Sequence, residues 1–332
     1  MSRLVALCLV AVTFFPACDL YGQSAVSEDD VIGEDGRLPT PKGLEKDVVF
    51  WERIFTKYSP EQCVMHDNWH LDIVYAVKRV PDGSSAMRRR LVRSYVRQIR
   101  QALQNLASTG RPRTKLETRV RDAVPTRLRT RSFYLAAQER VRCQRGVDLA
   151  PSFARSTRYI PMIKRVLRSK DMPMDLAYLP HLESGFNRYA LSHAGAKGLW
   201  QFMPATARGE GLKVNKGRRI DYRTNPEKST HAATEYLIGI HERTGSWPLT
   251  VTAYNYGQNG TMRAIRKFGP DYMMVRRFHK TRIFGFAARN YYPSFLAVRN
   301  VAMREELADA ARERKSGRIA DGASVRRPRT GS

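Results

Sequence analysis

The sequence predicts a mainly α protein, a larger C-terminal unit joined to a smaller helical N-terminal region. Three observations carry this reading. Apolar residues recur at helical spacing over long stretches, strict alternation is sparse, and Ser, Asp, Pro and Gly stand where helices start and stop. At 332 residues the chain can bury a real core and fill about two modest domains. With 42% hydrophobic and 10% aromatic residues it is not a disordered basic tail. Its 58 Lys and Arg against 31 Asp and Glu, a formal charge of +27, call for a polyanionic neighbour.

The N-terminus indicates where that neighbour is met. Arg3, an apolar run from Leu4 to Phe15, then Pro16, Ala17 and Cys18 read as a signal peptide, residues 1–24, cut after Ser24. The run is too short to span a bilayer, which takes roughly 20 residues. Phe15-Pro16-Ala17-Cys18 also imitates a bacterial lipobox, so lipidation at Cys18 is the alternative processing. Export to the periplasm or cell envelope follows, with a lipoprotein anchor if Cys18 is the acylated residue. In an oxidising compartment Cys63 and Cys143 remain as a pair and are expected to form a disulfide.

Residues 25–45, with Glu28-Asp29-Asp30 and flanking Gly and Pro, read as a mobile linker. Residues 46–146 form a basic helical region. Short helices are expected from 48 to 75, and a long one from 84 to 107 capped by Ser84 or Ser85. In that helix Met87, Leu91, Val92, Tyr95, Val96, Ile99, Leu103 and Leu106 lie on one face, and Arg88, Arg89, Arg90, Arg93, Arg97 and Arg100 on the other. A basic loop is expected from 109 to 131 and a further helix from 133 to 145, ended by Gly146. The Arg face is either a solvated surface or a docking surface for an anionic polymer or membrane surface. Nucleic acid is not expected, because the protein is exported and the Arg face lacks interleaved aromatics. Residues 303–332 read as a fraying helix and a basic tail.

The chemistry lies between. In Asp171 to Gly185 a Pro suits the first helical turn and Gly185 the C-terminal cap, which puts Glu183 in the last turn. There the helix dipole disfavours a negative charge, and Leu179, Leu182 and Phe186 surround the carboxyl with apolar bulk. Both effects raise its pKa, as a general acid needs. Ala194 to Pro204 supplies Gly195 and Gly198 for close backbone approach, Trp200 and Phe202 as ring faces, and Gln201 as a paired donor and acceptor, all suited to sugars. Pro204 opens another helix. A third runs from Trp247 to Gly257 and carries Tyr254 and Asn255 as polar groups on an apolar body.

These blocks resemble the transglycosylase SLT domain, glycoside hydrolase family 23, and in particular the membrane-bound lytic murein transglycosylase D group. Glu183-Ser184 matches the Glu-Ser motif and Gly198-Leu199-Trp200-Gln201 the Gly-Leu-Met-Gln motif, with the D-group Trp in the Met position. Ala253-Tyr254-Asn255 matches Ala-Tyr-Asn, and Asn290-Tyr291-Tyr292-Pro293 resembles the late block that supplies a further Tyr, aligned as Tyr291. The resemblance implies a lysozyme-like, goose-type fold over residues 147–302, and places Ser192 and Met203 on cleft-lining positions. It implies that Tyr254 and Tyr291 orient Glu183 or contact the sugar, that Ser192, Gln201 and Asn255 hold acetamido and hydroxyl groups, and that Met203 packs against the ring.

Ordinary glycosidases use two carboxylates, whereas Glu183 has no convincing partner: Asp221 lies in an Arg-bracketed loop. What the resemblance implies fits one acid. Glu183 protonates the oxygen between N-acetylmuramic acid and N-acetylglucosamine of peptidoglycan strands, then as a base helps the muramoyl C6 hydroxyl close on C1, a lyase reaction giving 1,6-anhydromuramoyl ends. Neither cofactor nor metal is expected, since His66 and His70 form only one i,i+4 pair. Two alternatives stand beside this: a lysozyme-like hydrolase on the same fold, and a non-catalytic glycan-binding scaffold within a cell-envelope protein complex.

Overall fold

The computed structural model describes residues 36–322 except 216 and 218; the signal segment, Cys18 and the end of the basic tail lie outside it. The protein is mainly α, as expected. No helix among the described residues is long and apolar enough to cross a membrane.

Helix α1 (Glu45–Thr56) leads into an antiparallel hairpin, β1 (Gln62–Asp67) and β2 (Val74–Arg79). Helices α2 (Ser85–Thr109), α3 (Lys115–Ala123) and α4 (Arg131–Gln138) follow, and β3 (Val141–Arg145) closes a three-stranded sheet in the order β2-β1-β3. The rest is helical. Helices α5 (Ala150–Ser156) and α6 (Ile160–Arg168) precede a 3-10 turn over 174–178 and the short α7 (Pro180–Glu183). After a long loop comes α8 (Pro204–Gly209), then the small β4–β5 ribbon (Val214–Asn215 and Ile220–Asp221). Helices α9 (Pro226–Thr244), α10 (Trp247–Tyr256), α11 (Gln258–Phe268) and α12 (Tyr272–Phe278) pack in succession. Helix α13 (Phe286–Arg289) and the long α14 (Tyr291–Gly322) complete the described residues.

The expected helix over 84–107 forms as α2. Ser84 caps it by accepting from the Met87 amide, and Gly110, at φ 65°, ends it. The rest of the N-terminal region departs from the all-helical reading. Residues 48–75 are one helix and a hairpin. Strand β1 is buried on both faces from Cys63 to Asp67, so its sequence shows no alternation to read. The expected basic loop over 109–131 contains α3, which carries a capping box in which the Thr114 and Glu117 side chains satisfy each other's backbone amides. The helix expected from 133 to 145 is α4 and then β3. Val141 pairs opposite Asp67 and Cys143 opposite Met65.

Buried apolar side chains form two clusters. One holds Cys63, Met65 and Tyr75 of the sheet and Ile73 just before β2, with Ile99, Leu103 and Leu106 of α2 and Val120 of α3. The other contains the α5–α14 core and also Leu38, Leu44, Phe50, Trp51 and Ile54. Helix α1 therefore belongs with the C-terminal core, and not with the N-terminal region expected to begin at residue 46. The end of the expected linker is likewise fixed. Leu38 is buried, its amide donates to Asp175 and its carbonyl accepts from Arg299, and Pro39 accepts from the Tyr292 hydroxyl. The acid–base pair Asp175–Arg299 at 2.7 Å locks that segment beneath α14.

The sheet-bearing unit is thus inserted between α1 and α5. Its two connections run side by side, with the Gly146 amide donating to Gln62 and the Val147 amide to Ile54. A Cβ at Gly146 would lie 1.9 Å from the Tyr58 carbonyl oxygen, so this crossing admits only glycine. Cys63 and Cys143, with Cα atoms 5.5 Å apart, are joined as a disulfide next to this crossing.

Candidate active site

Glu183 is the last residue of α7. Leu179 through Leu182 wind toward it behind Pro180, and the chain then leaves the helix through two successive left-handed residues, Gly185 at φ 55° and Phe186 at φ 57°. The Phe186 amide closes back on the Pro180 carbonyl, six residues earlier, and so stops the helix. Phe186 is fully buried, edge-on to His181 with ring centroids 4.5 Å apart. That packing offsets the cost of a non-glycine residue in this conformation.

Burial pushes the Glu183 carboxyl up to about 7, against the opposing pull of a hydrogen bond from the Tyr291 hydroxyl to Oε1. Among the described residues no carboxylate or cation shifts it. Among the described residues Oε2 accepts no hydrogen bond, which leaves one oxygen of a neutral carboxyl for a substrate. Asp221 is no second acid: it is paired to Arg223 at 2.9 Å and Lys197 at 3.1 Å, and the Arg223 hydrogen bond holds its pKa down to about 2.

Two tyrosines flank the acid. Tyr291, buried at the start of α14, donates to it. Tyr254 feels the Glu183 charge, but its hydroxyl donates to the Trp200 carbonyl at 2.7 Å and so props the loop instead of the acid. Burial raises the pKa of both phenols well above the ordinary value, so both stay protonated donors. Ser184 donates to the Leu199 carbonyl at 2.8 Å, tying the helix end to the same loop.

That loop, residues 187–203, is rigidly built. Gly198 sits at φ 87°, and a Cβ there would lie 1.9 Å from the Arg223 carbonyl oxygen. The buried Arg223 guanidinium donates to the Gly195 and Phe202 carbonyls at 2.8 and 2.9 Å and is itself neutralised by Asp221. Gln201, at φ 48°, turns its amide inward to the Ala190 and Gly198 carbonyls. Ser192 accepts from the Ala196 amide at 3.0 Å. Trp200 and Phe202 do not offer ring faces. Trp200 is only 1% exposed with its indole nitrogen donating to Thr230, and Phe202 is buried too. The apolar surface on this loop comes from residues outside the sequence motifs: Tyr189 is 66% exposed and Leu191 67%. Met203 is 42% exposed at the cap of α8, and Asn255 is exposed on α10.

Sequence reasoning missed Arg223 and Tyr189. Arg223 had a readable signal in its spacing of two from Asp221, whereas nothing around Tyr189 distinguishes it from any surface aromatic. Beside the site, Tyr236 meets Tyr254 with centroids 5.6 Å apart. Tyr236 also walls a cavity of about 420 Å³ with Tyr256, Gln258, Arg263 and Ile283. No cluster of three potential metal ligands occurs among the described residues. Burial lowers the pKa of His66 to about 4, against the opposing pull of Asp67, and that of His181 to about 3, so both rings stay neutral.

Residues 161–271 match the transglycosylase SLT domain. The chain is 39% identical over 113 residues to membrane-bound lytic murein transglycosylase D of Escherichia coli, a stretch covering 34% of this chain and 25% of that one. It is 34% identical over 124 residues to membrane-bound lytic murein transglycosylase C of Glaesserella parasuis, covering 33% of this chain and 34% of that one. The matched stretch is thus a quarter to a third of these relatives' length. Among solved structures, the 70 kDa soluble lytic transglycosylase of Escherichia coli aligns at a TM-score of 0.37 and 17% identity, over 69% of this chain and 38% of that one.

Proposed function

We propose, from the premise that residues 161–271 form a transglycosylase SLT domain, that the chain is a peptidoglycan lytic transglycosylase working through Glu183 alone. The observation that carries this reading is a carboxyl with a pKa of about 7 and no second carboxylate acting on it. A neutral Glu183 donates its proton from Oε2 to the glycosidic oxygen between N-acetylmuramic acid and N-acetylglucosamine. The C1–O bond breaks, and the substrate's acetamido group stabilises the cation that develops at C1. Glu183, now ionised and steadied by the Tyr291 hydroxyl, takes the proton of the muramoyl C6 hydroxyl as that oxygen bonds to C1. The proton balance closes, no water is consumed, and the product carries a 1,6-anhydro ring. An attached nucleophile has an effective concentration that a free water cannot match, so a second activating carboxylate is dispensable.

The remaining roles follow the chemistry of each side chain. Met203, Tyr189 and Leu191 present apolar surface to sugar faces, and Asn255 presents an amide to acetamido or hydroxyl groups. Gln201 and Ser192 act by holding the loop, through the hydrogen bonds described above. The protein works in the periplasm or cell envelope on glycan strands, exported by its N-terminal segment and, where Cys18 is acylated, tethered there. Mass spectrometry of the muropeptides released by wild type and by Glu183→Gln tests the reading. Wild type should yield anhydromuramoyl ends and the variant none. Reducing ends in place of anhydro ends would instead make it a hydrolase, and unchanged release by the variant would remove Glu183 from the chemistry.

A further inference from the structure

A second cavity, about 630 Å³, opens where the inserted sheet unit meets α12, and no step of the proposed reaction uses it. Its walls include Trp69 and His70 from the β1–β2 turn, Arg140 before β3, and Arg277, Phe278 and Lys280 from the end of α12. No carboxylate lines it. Two of its cations are uncommitted: Arg277 and Lys280 have only ring contacts, to Phe278 and Trp69, and no ion pair among the described residues. Arg140 spends Nε on Asp67 at 2.8 Å, and its buried Nη2 has no hydrogen-bond partner there. A buried guanidinium nitrogen left open is costly unless a ligand completes it. Flat aromatic walls with several aimed cations suit a small ligand that has an apolar body and carboxylate ends, because guanidinium forks match carboxylates.

The place of the cavity narrows that ligand further. The segment 279–284 separates it from the cavity beside the acid: Phe278 and Lys280 face one, Ile283 the other. Tyr256 of the cavity beside the acid bonds His279 at 3.0 Å, and its neighbour Tyr236 packs on Tyr254. A glycan strand held at Glu183 and continuing along Tyr254, Tyr236 and Tyr256 would carry its substituents across this segment. On such a strand the substituents that end in carboxylates are the short peptides carried by the muramoyl sugars. We propose that this junction cavity holds a stem peptide of the strand being cut, an inference that rests on the peptidoglycan reading above. The inserted unit then serves to select peptide-bearing glycan.

Two measurements on the full-length exported chain test this. Calorimetry with a muramoyl tetrapeptide should show binding, weakened about tenfold when its terminal carboxylates are amidated, the loss of one good charge-assisted pair. Equal binding of both forms, no binding of either, or displacement by inorganic phosphate at equal concentration would overturn the proposal. Kinetics on peptide-bearing strands and on strands stripped by an amidase supply the second test. Arg277→Glu with Lys280→Glu should raise KM about tenfold on the former, leave kcat alone, and change nothing on the latter. Arg277→Lys with Lys280→Arg should restore the wild-type KM. An equal effect on both strands, or none on either, counts against the pocket. Absence of anhydro product from wild type on both strands would sink the catalytic reading instead, whatever the calorimetry shows.

Discussion

Glu183 and its tyrosine form a unit in which ionisation, stability and rate are linked. Its folded pKa of about 7 lies above the usual carboxyl value of 4.5. Between those values the folded state binds the extra proton, so this residue makes stability fall as pH rises from about 4.5 to 7, with the full cost present above 7. Glu183→Gln should therefore gain up to about 3 kcal/mol over wild type at pH 8 and little at pH 4, read from denaturant midpoints at the two pH values. In the proposed reaction Glu183 must be protonated at the start, so kcat/KM should fall through an apparent pKa near 7 on the alkaline side. Tyr291→Phe removes the one interaction that favours the carboxylate. It should shift that limb to higher pH while lowering kcat about 10- to 100-fold through lost positioning, and a rate profile in which the limb stays put would deny Tyr291 this role. The place of Glu183 at a helix end was legible in the sequence because the glycine stop and apolar neighbours are local signals. The inward turn of Gln201 and the burial of Trp200 were not, since both depend on Arg223 and Thr230, which are distant in the chain.

At the scale of elements, the loop over 187–203 rests on one buried arginine. Arg223→Met would leave the Gly195 and Phe202 carbonyls without their donor and Asp221 without its main partner. A cost of about 3 kcal/mol or more is expected, with activity lost before global unfolding, as seen by comparing turnover with the melting transition. Gly198→Ala should be as damaging, because both its φ and the Arg223 carbonyl oppose a side chain. Helices with exposed polar faces, such as α2, or with Pro entries, such as α8 and α10, could be read from spacing and caps alone. The strands could not. β1 is buried on both faces, and β3 is five residues whose partner lies some eighty positions away, so their pairing is a tertiary fact with no local signature.

The whole molecule divides its labour between a core that includes α1 and an inserted unit rich in arginine. Residues 85–145 hold seventeen Lys and Arg against Glu117, Asp122 and Glu139. On the helix α2 face, Arg89, Arg90, Arg93 and Arg97 are exposed. Attachment to isolated cell wall should weaken as salt rises from 50 to 300 mM by an amount that shrinks when these four become Gln, which a pull-down at several ionic strengths would read; a salt response untouched by the substitutions would make the face a plain solvated surface. The charge excess was visible at once in the composition, but its concentration on an inserted unit was not, because composition carries no topology.

The disulfide at the root of that insertion has a mechanical meaning. β1 and β3 enter and leave the unit at the same end, and Cys63–Cys143 clamps them just past the Gln62–Gly146 contact. In the proposed envelope setting, a wall under tension would pull on a unit attached to it. Were the two strands held only by ladder hydrogen bonds, tension on the inserted unit would peel them apart one bond at a time. With the clamp in place a pull on the unit is shared between α1 and α5 without loading the ladder hydrogen bonds, so the sheet stays paired. Reduction should leave catalysis on short soluble glycans intact and shorten the life of single-molecule tethers between the unit and a wall fragment under force.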